Sequence, residues 1–194
     1  MRFTFRCLDA HADALLLHGW VTQPYAVFWG MLSASVADVV EEYAGIQSSG
    51  HHHALLGLNG GVPAFLMEEY LPASSPLAAV YAVQPGDVGM HLLVGPPSSG
   101  PEPGYTTAVM DAVLARLFSR PDVERVVVEP DVRNTRIHAL NERLGFQPAG
   151  VVALPDKEAL LSFCTRSGYL AARAALLPAR PLPTIPNSIP EGAL

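Results

Sequence analysis

The stretch Gly86-Asp-Val-Gly-Met-His-Leu-Leu-Val-Gly95, continued by Pro96-Pro-Ser-Ser-Gly-Pro-Glu-Pro-Gly104 and by the segment from Tyr105 to Leu117, decides how this chain reads. Met90, Leu92 and Val94 alternate with His91 and Leu93, the period-two pattern of a strand. The Pro/Gly/Ser-rich run that follows continues neither a strand nor a helix. Val109, Ala112, Val113, Ala115, Leu117 and Phe118 then recur at helical spacing. A strand, a glycine-rich loop and a helix in that order aim backbone N–H groups and the positive helix end at one point, which is an anion site whose usual guest is phosphate. Gly100, Gly104, Tyr105 and Thr106 are its candidate contacts, and His91 lies just upstream, where a titratable group reaches a bound ligand.

Outward from this unit the chain alternates strands and helices. Arg2 to Leu8 reads as a short strand, His11 to Gly19 as a helix, and Ser35 to Ile46 as a second helix with Ser35 as its N-cap. His52 to Leu58 and Val62 to Tyr70 read as strands joined by Asn59-Gly60-Gly61, a hairpin signal. Leu71 to Ala79 reads as a loop. Arg125 to Glu129 contains Val126-Val-Val128, the continuous apolar run of a strand buried on both faces. Asn134 is positioned to cap a helix running to Leu144 and stopped by Gly145. Gln147 to Leu154 and Glu158 to Arg166 close the pattern as two strands. The expected fold is one α+β domain over residues 1–175, a mixed sheet with helices on both faces. Residues 176–194, with Pro178, Pro181, Pro183, Pro186 and Pro190, are expected to form a mobile Pro-rich tail.

The bulk numbers bound the function. The 194 residues are 49% hydrophobic, enough for a sizeable core. A net charge of −6 argues against a nucleic-acid partner. No apolar run approaches the length of a membrane helix, and the N-terminus lacks the apolar core of a signal peptide, so a cytoplasmic protein without a membrane partner is expected. Cys7 and Cys164 give neither a disulfide framework nor a metal spacing and read as buried thiols. His51-His-His53 alternates across two faces with no further ligand spaced for it, so no metal is expected.

The element order resembles the GNAT acyltransferase fold, in which the fourth and fifth strands are parallel and splayed within a mostly antiparallel sheet. Asn134 followed at the family's distance by Leu144-Gly-Phe146 matches a local GNAT pattern, whereas the usual Gly-rich pyrophosphate signature is replaced by the Gly95–Thr106 run. Asn141 stands where many GNAT enzymes carry a tyrosine that protonates the leaving thiolate, and Asn has no proton to give at neutral pH. The stretches His18-Gly-Trp20, Phe28-Trp29, Phe65-Leu-Met-Glu-Glu-Tyr70, Gly86–Val94, Val128-Glu-Pro-Asp-Val-Arg-Asn134 and Lys157–Phe163 resemble siderophore-biosynthesis acyltransferases. Within that group, which includes hydroxylysine acetyltransferases and mycobactin lysine acyltransferases, they are most similar to the N-hydroxycadaverine acyltransferases of desferrioxamine pathways.

That resemblance implies acyl-CoA, with acetyl and succinyl both open, as co-substrate, a small hydroxylamine or amine as acceptor, and other pathway enzymes as partners. It implies that His91 is the base or orients the hydroxylamine, with Asp131 as its acidic partner close in space. The acyl-CoA contacts are then Leu93 and Val94 on the splayed strand, Gly100, Gly104, Tyr105 and Thr106 at the diphosphate, Asn134 and Asn141 along the pantetheine arm, and Arg136 (with Arg133) at the adenosine phosphates. Trp20, Trp29 and Glu68 are the candidate amine-pocket residues, Glu68 holding a distal ammonium; core packing is the alternative for the tryptophans, and only one of Glu68 and Glu69 can face the cleft. Two rivals stay open: a GNAT enzyme for an ordinary amine, and a non-catalytic acyl-CoA-binding module.

Overall fold

The computed structural model describes residues 3–96, 100 and 102–176. The elements are β1 (Phe3–Cys7), α1 (Ala14–Val21), α2 (Val36–Ser49), β2 (His52–Asn59), β3 (Val62–Tyr70), β4 (Asp87–Val94), α3 (Tyr105–Phe118), β5 (Arg125–Val128), α4 (Thr135–Arg143), β6 (Gln147–Ala153), β7 (Glu158–Thr165) and α5 (Arg166–Leu176). The strands form one seven-stranded sheet in the order β1-β2-β3-β4-β5-β7-β6. Only β4 and β5 run parallel; every other neighbouring pair is antiparallel.

Local chemistry sets the register. Asn59 pairs with Val62, so Gly60 and Gly61 (φ 59° and 86°) form the two-residue turn whose positive dihedrals match the strand twist. The side chain of Ser35 accepts the Asp38 N–H while the Asp38 carboxylate accepts the Ser35 N–H, the reciprocal cap expected for α2. On one face of the sheet, Val109, Val113, Leu114 and Leu117 of α3 pack on Phe65, Met67, Val88, Met90 and Val126. Each such buried aliphatic side chain contributes about 1.5–3 kcal/mol. On the other face, α1 and α2 cover Ala54, Leu56, Leu66 and Leu93 with Leu17, Val21, Val39, Tyr43 and Ile46.

Several boundaries differ from the sequence reading. The first helix begins at Ala14 rather than His11, because the Asp13 carboxylate is held by Arg6 at 2.6 and 2.7 Å and accepts the Asp9 N–H at 2.9 Å, which fixes the preceding turn. The segment read as a loop over Leu71–Ala79 contains two 3₁₀ turns, Pro72–Ser74 and Pro76–Ala79. The last strand ends at Thr165, and the chain continues as α5, which buries Tyr169 against Phe118. Cys7 is exposed, because β1 is an edge strand, and only Cys164 is buried. Asn134 precedes α4 without a side-chain capping bond. Apart from Leu176, which ends α5, the expected tail lies outside the described residues, as do parts of the loop before α3. Among the described residues no helix is long and apolar enough to cross a membrane.

Candidate active site

The sheet opens at its middle. β4 and β5 pair at Asp87–Arg125, Val88–Val126 and Gly89–Val127, whereas β4 stays paired with β3 through Val94. From Met90 onward the β5-facing edge of β4 is therefore released from the ladder, and β5 turns to its antiparallel partner β7. Two strands that start parallel and then part leave backbone polar groups facing a gap, where an extended amide-bearing ligand can pair with them. Leu93 and Val94 lie on this released stretch, with the Leu93 side chain in the core under α1. The chain returns through Gly104 (φ 81°) into the N-terminus of α3, where Tyr105 and Thr106 stand in the first turn.

His91 sits at the parting of the strands. Its Nε2–H donates to Glu129 Oε1 at 2.7 Å and its Nδ1–H to Glu68 Oε2 at 2.9 Å. A ring that donates from both nitrogens to carboxylates is an imidazolium. Burial works against the charge, but Glu129 and then Glu68 outweigh it and hold the His91 pKa up to about 10. Burial likewise opposes ionisation of Glu68, yet His52 and His91 bring its carboxyl down to about 2. The Glu129 carboxyl is also lowered, with the His91 charge overcoming burial. The Tyr70 hydroxyl donates to Glu129 Oε2 at 2.8 Å, and its ring lies 5.0 Å from the His91 ring. Lys157, in the turn between β6 and β7, brings its Nζ within 3.8 Å of Glu129 Oε1. Trp29 meets the other side of His91 edge-on at 6.2 Å and donates from Nε1 to the Tyr43 hydroxyl at 3.2 Å. The carboxylates are 5–7% exposed, whereas the His91 side chain is 36% exposed, so the imidazole is the part of the cluster that meets the cleft.

The expected acidic partner makes a different bond: Asp131 forms no hydrogen bond or ion pair with His91. Its carboxylate is taken by Arg133 at 2.8 and 2.6 Å and by the Arg133 N–H, and Arg133 holds its pKa down at about 2; its carbonyl accepts from His138 Nε2 at 3.0 Å. The acidic group that reaches His91 from the end of β5 is Glu129, two residues earlier. Glu68 faces the site, where its Oε2 meets His91 at 2.9 Å and His52 at 3.3 Å, while Glu69 points to the opposite face and pairs with Arg120 at 2.9 Å. Trp20 belongs to the core: its ring fills the space a Cβ on Gly95 would occupy, at 2.7 Å. Arg133 lies over the Phe28 ring at 5.8 Å besides its bond to Asp131, and Arg136 is exposed on the first turn of α4. Asn141 is 3% exposed, and its Oδ1 is a buried acceptor with no partner among the described residues. Of the three consecutive histidines, His52 turns toward Glu68 at 3.3 Å and His53 is exposed.

Beside the cluster a cleft of about 650 Å³ runs between the Gly30–Ala34 segment, α2 and the start of β2. Asp38, Glu41 and Glu42 line it, and His52 forms its boundary with the His91 cluster. Cys164 is buried in the core with its thiol pushed up to about 12 by burial, and Cys7 is exposed on the edge strand β1.

A seven-stranded sheet splayed at its parallel β4–β5 pair, with a glycine-initiated helix behind the gap, is the architecture of the acyl-CoA-dependent acyltransferase class. Residues 9–154 match the Acetyltransferase (GNAT) domain family, and the chain belongs to that family. It is similar to N-hydroxyputrescine acetyltransferase of Acinetobacter baumannii, 25% identical over 157 residues that cover 81% of this chain and 74% of that protein. It is also similar to aminoglycoside N(6')-acetyltransferase type 1 of Klebsiella pneumoniae, 26% identical over 88% of this chain and 87% of the relative. N(6)-hydroxylysine O-acetyltransferase of Escherichia coli is 24% identical over 86% of this chain, which spans about half (53%) of that longer protein. Among solved structures, an uncharacterized protein from Bacillus halodurans superposes with a TM-score of 0.82 at 28% identity, covering 89% of this chain and 88% of the other. Aminoglycoside acetyltransferase AAC(6')-Ib, solved with coenzyme A, superposes at 0.77 with 25% identity and 89% and 99% coverage. The chain is thus an acyl-CoA N-acyltransferase of the GNAT type, with a CoA thioester as its co-substrate.

Proposed function

We propose that this enzyme acylates an N-hydroxylated diamine to a hydroxamate, in the manner of siderophore biosynthesis in the cytoplasm. The observation that carries the reading is the double commitment of His91 to Glu129 and Glu68. A simple alkylamine, with a pKa near 10, reaches the site as an ammonium and needs a base before it can attack. An imidazolium has no lone pair to serve as that base. A hydroxylamine is far less basic, arrives neutral and carries an oxygen lone pair that the positive charge of His91 attracts. The acidic cleft supports a substrate with a second, cationic end, and the Acinetobacter relative is named for an N-hydroxydiamine.

In this reading the hydroxylamine nitrogen attacks the thioester carbonyl carbon, the C–S bond breaks with its electron pair going to sulfur, and the proton lost by nitrogen balances the one gained by the thiolate. The residues assigned to acyl-CoA are the released backbone at Leu93 and Val94 for the carbonyl, Gly100, Gly104, Tyr105 and Thr106 for the diphosphate, and Asn134 and Arg136 on the α4 side. The unpartnered Asn141 Oδ1 is an acceptor suited to a pantetheine amide N–H. Asp131 holds the turn into α4, and the catalytic unit is a single domain through residue 175. The aminoglycoside acetyltransferase relatives support a second reading, transfer to an amino group of a polycationic amine that fills the same acidic cleft. Mass spectrometry of products from acetyl-CoA and succinyl-CoA with N-hydroxycadaverine, N-hydroxyputrescine, cadaverine and kanamycin tests both. Hydroxamate as the main product supports the proposal; faster acylation of kanamycin or cadaverine overturns it.

A further inference from the structure

Glu129 Oε1 is shared by two cations: the His91 Nε2–H at 2.7 Å and the Lys157 ammonium at 3.8 Å. Its other oxygen accepts from Tyr70 at 2.8 Å, so the carboxylate, 5% exposed, is held from three sides. The three donors come from three separate parts of the sheet: β4, β3 and the turn between β6 and β7. The titratable groups around His91 are Glu68 and Tyr70 on β3, His52 on β2, Glu129 beyond β5 and, through Glu129, Lys157; Tyr43 of α2 stands behind Glu68. Counted as ions, Glu68, Glu129, His91 and Lys157 sum to zero, a balance that two buried carboxylates need in order to stay ionised.

We propose that Glu129 and Lys157 are positioning residues for acyl transfer: Glu129 fixes the charge and ring orientation of His91 at the opening between β4 and β5, and Lys157 sets how much of that carboxylate His91 commands. Glu129 is the nearer and stronger partner of His91. Glu68 alone would leave the imidazole free to pivot about Nδ1, and a ring held at one nitrogen presents no defined edge to a nucleophile. The β6–β7 turn thereby contributes to the site through one lysine that never needs to touch substrate. The proposal rests on His91 being the side chain that faces the amine.

The test pairs imidazole-resolved NMR titration of His91 with steady-state kinetics on whichever amine the wild-type enzyme accepts. The two substitutions carry opposite signs. Glu129→Gln removes a negative charge and should lower the His91 midpoint from about 10, whereas Lys157→Met removes a positive charge that competes for Glu129 Oε1 and should raise it. Glu129→Gln should also lower kcat at least about tenfold, as orienting partners of a catalytic imidazole do, with the KM for acyl-CoA unchanged. Glu129→Asp keeps the charge but shortens the reach, so its midpoint should stay above the ordinary histidine value while kcat still falls; this arm stands if the Gln variant fails to fold. A His91 midpoint that is the same in Glu129→Gln and wild type, an unchanged or lowered midpoint in Lys157→Met, or a Glu129→Asp kcat equal to wild type each overturns the proposal. The NMR arm does not depend on which amine is the substrate, so its failure is distinct from failure of the hydroxamate reading.

Discussion

The Tyr70 ring lies flat on the bare Cα of Gly89, its cross-strand partner, where a Cβ would come within 2.2 Å of the ring. That contact seats Tyr70 so that its hydroxyl meets Glu129 and its ring meets His91. Gly57 bears the same relation to Phe65, at 2.0 Å, but on the core side beneath β1.

The two glycines therefore give a matched pair of variants. Gly89→Ala and Gly57→Ala should each cost about 1–3 kcal/mol through overpacking. Only Gly89→Ala should also depress kcat, because only it displaces a ring bonded to the Glu129–His91 cluster. Thermal denaturation and turnover measured side by side check this, and equal loss of kcat in both variants would refute the link from Tyr70 to the site.

The charge cluster makes stability depend on pH in a defined direction. His91 is raised to about 10 from an ordinary 6.5, so its contribution is complete below about pH 6.5 and is lost as pH rises through about 10. Glu68 is lowered to about 2 from 4.5, so its contribution is complete above about pH 4.5 and is lost as pH falls through about 2. Both are in full force only between these limits. The melting temperature should plateau there and decline on the alkaline side, and His91→Gln should flatten that decline. An alkaline limb unchanged in the variant would assign the loss to other groups.

Much of the frame is legible in the residues because it rests on local chemistry. The Gly60-Gly61 turn, the Ser35 cap, the alternation from Met90 to Val94 and the valine run of β5 each dictate their own conformation. The acidic partner of His91 is not legible in that way. Glu129 reaches His91 because Gly89 pairs with Val127, which carries the residue after β5 level with His91. That is a long-range register that no local pattern encodes, and the turn chemistry of Asp131 competes for the same reading. α5 was hidden for a related reason: it buries Tyr169 but leaves most of its remaining residues at the surface, so its apolar stripe is short.

The same geometry separates the two acids in a mutational test. His91→Gln should lower turnover by about 10²–10³, the effect of removing a positioned charge from the site, while acyl-CoA binding persists because the assigned contacts lie along β4, α3 and α4. Asp131→Asn should keep most of its turnover, since its carboxylate serves Arg133 and the turn into α4. Binding by calorimetry and rates under saturating acyl-CoA check both, and an Asp131→Asn variant as slow as His91→Gln would return Asp131 to the chemistry.

Substrate protonation gives the sharpest consequence of a histidine held as a cation. At pH 7 an alkylamine such as cadaverine is almost wholly ammonium, and its neutral fraction rises about tenfold per pH unit until the pH nears 10. N-hydroxycadaverine is already neutral at its hydroxylamine nitrogen throughout this range. With His91 committed to two carboxylates up to about pH 10, its own titration does not mask the difference. The ratio of kcat/KM for N-hydroxycadaverine over cadaverine should therefore be largest at the low end of this range and shrink about tenfold per unit toward pH 9, driven by the amine and not by the protein. Initial rates for both acceptors at half-unit steps from pH 6.5 to 9 measure it. A ratio that stays constant across that interval means that the site removes the ammonium proton itself, and the assignment of His91 as a standing imidazolium then fails.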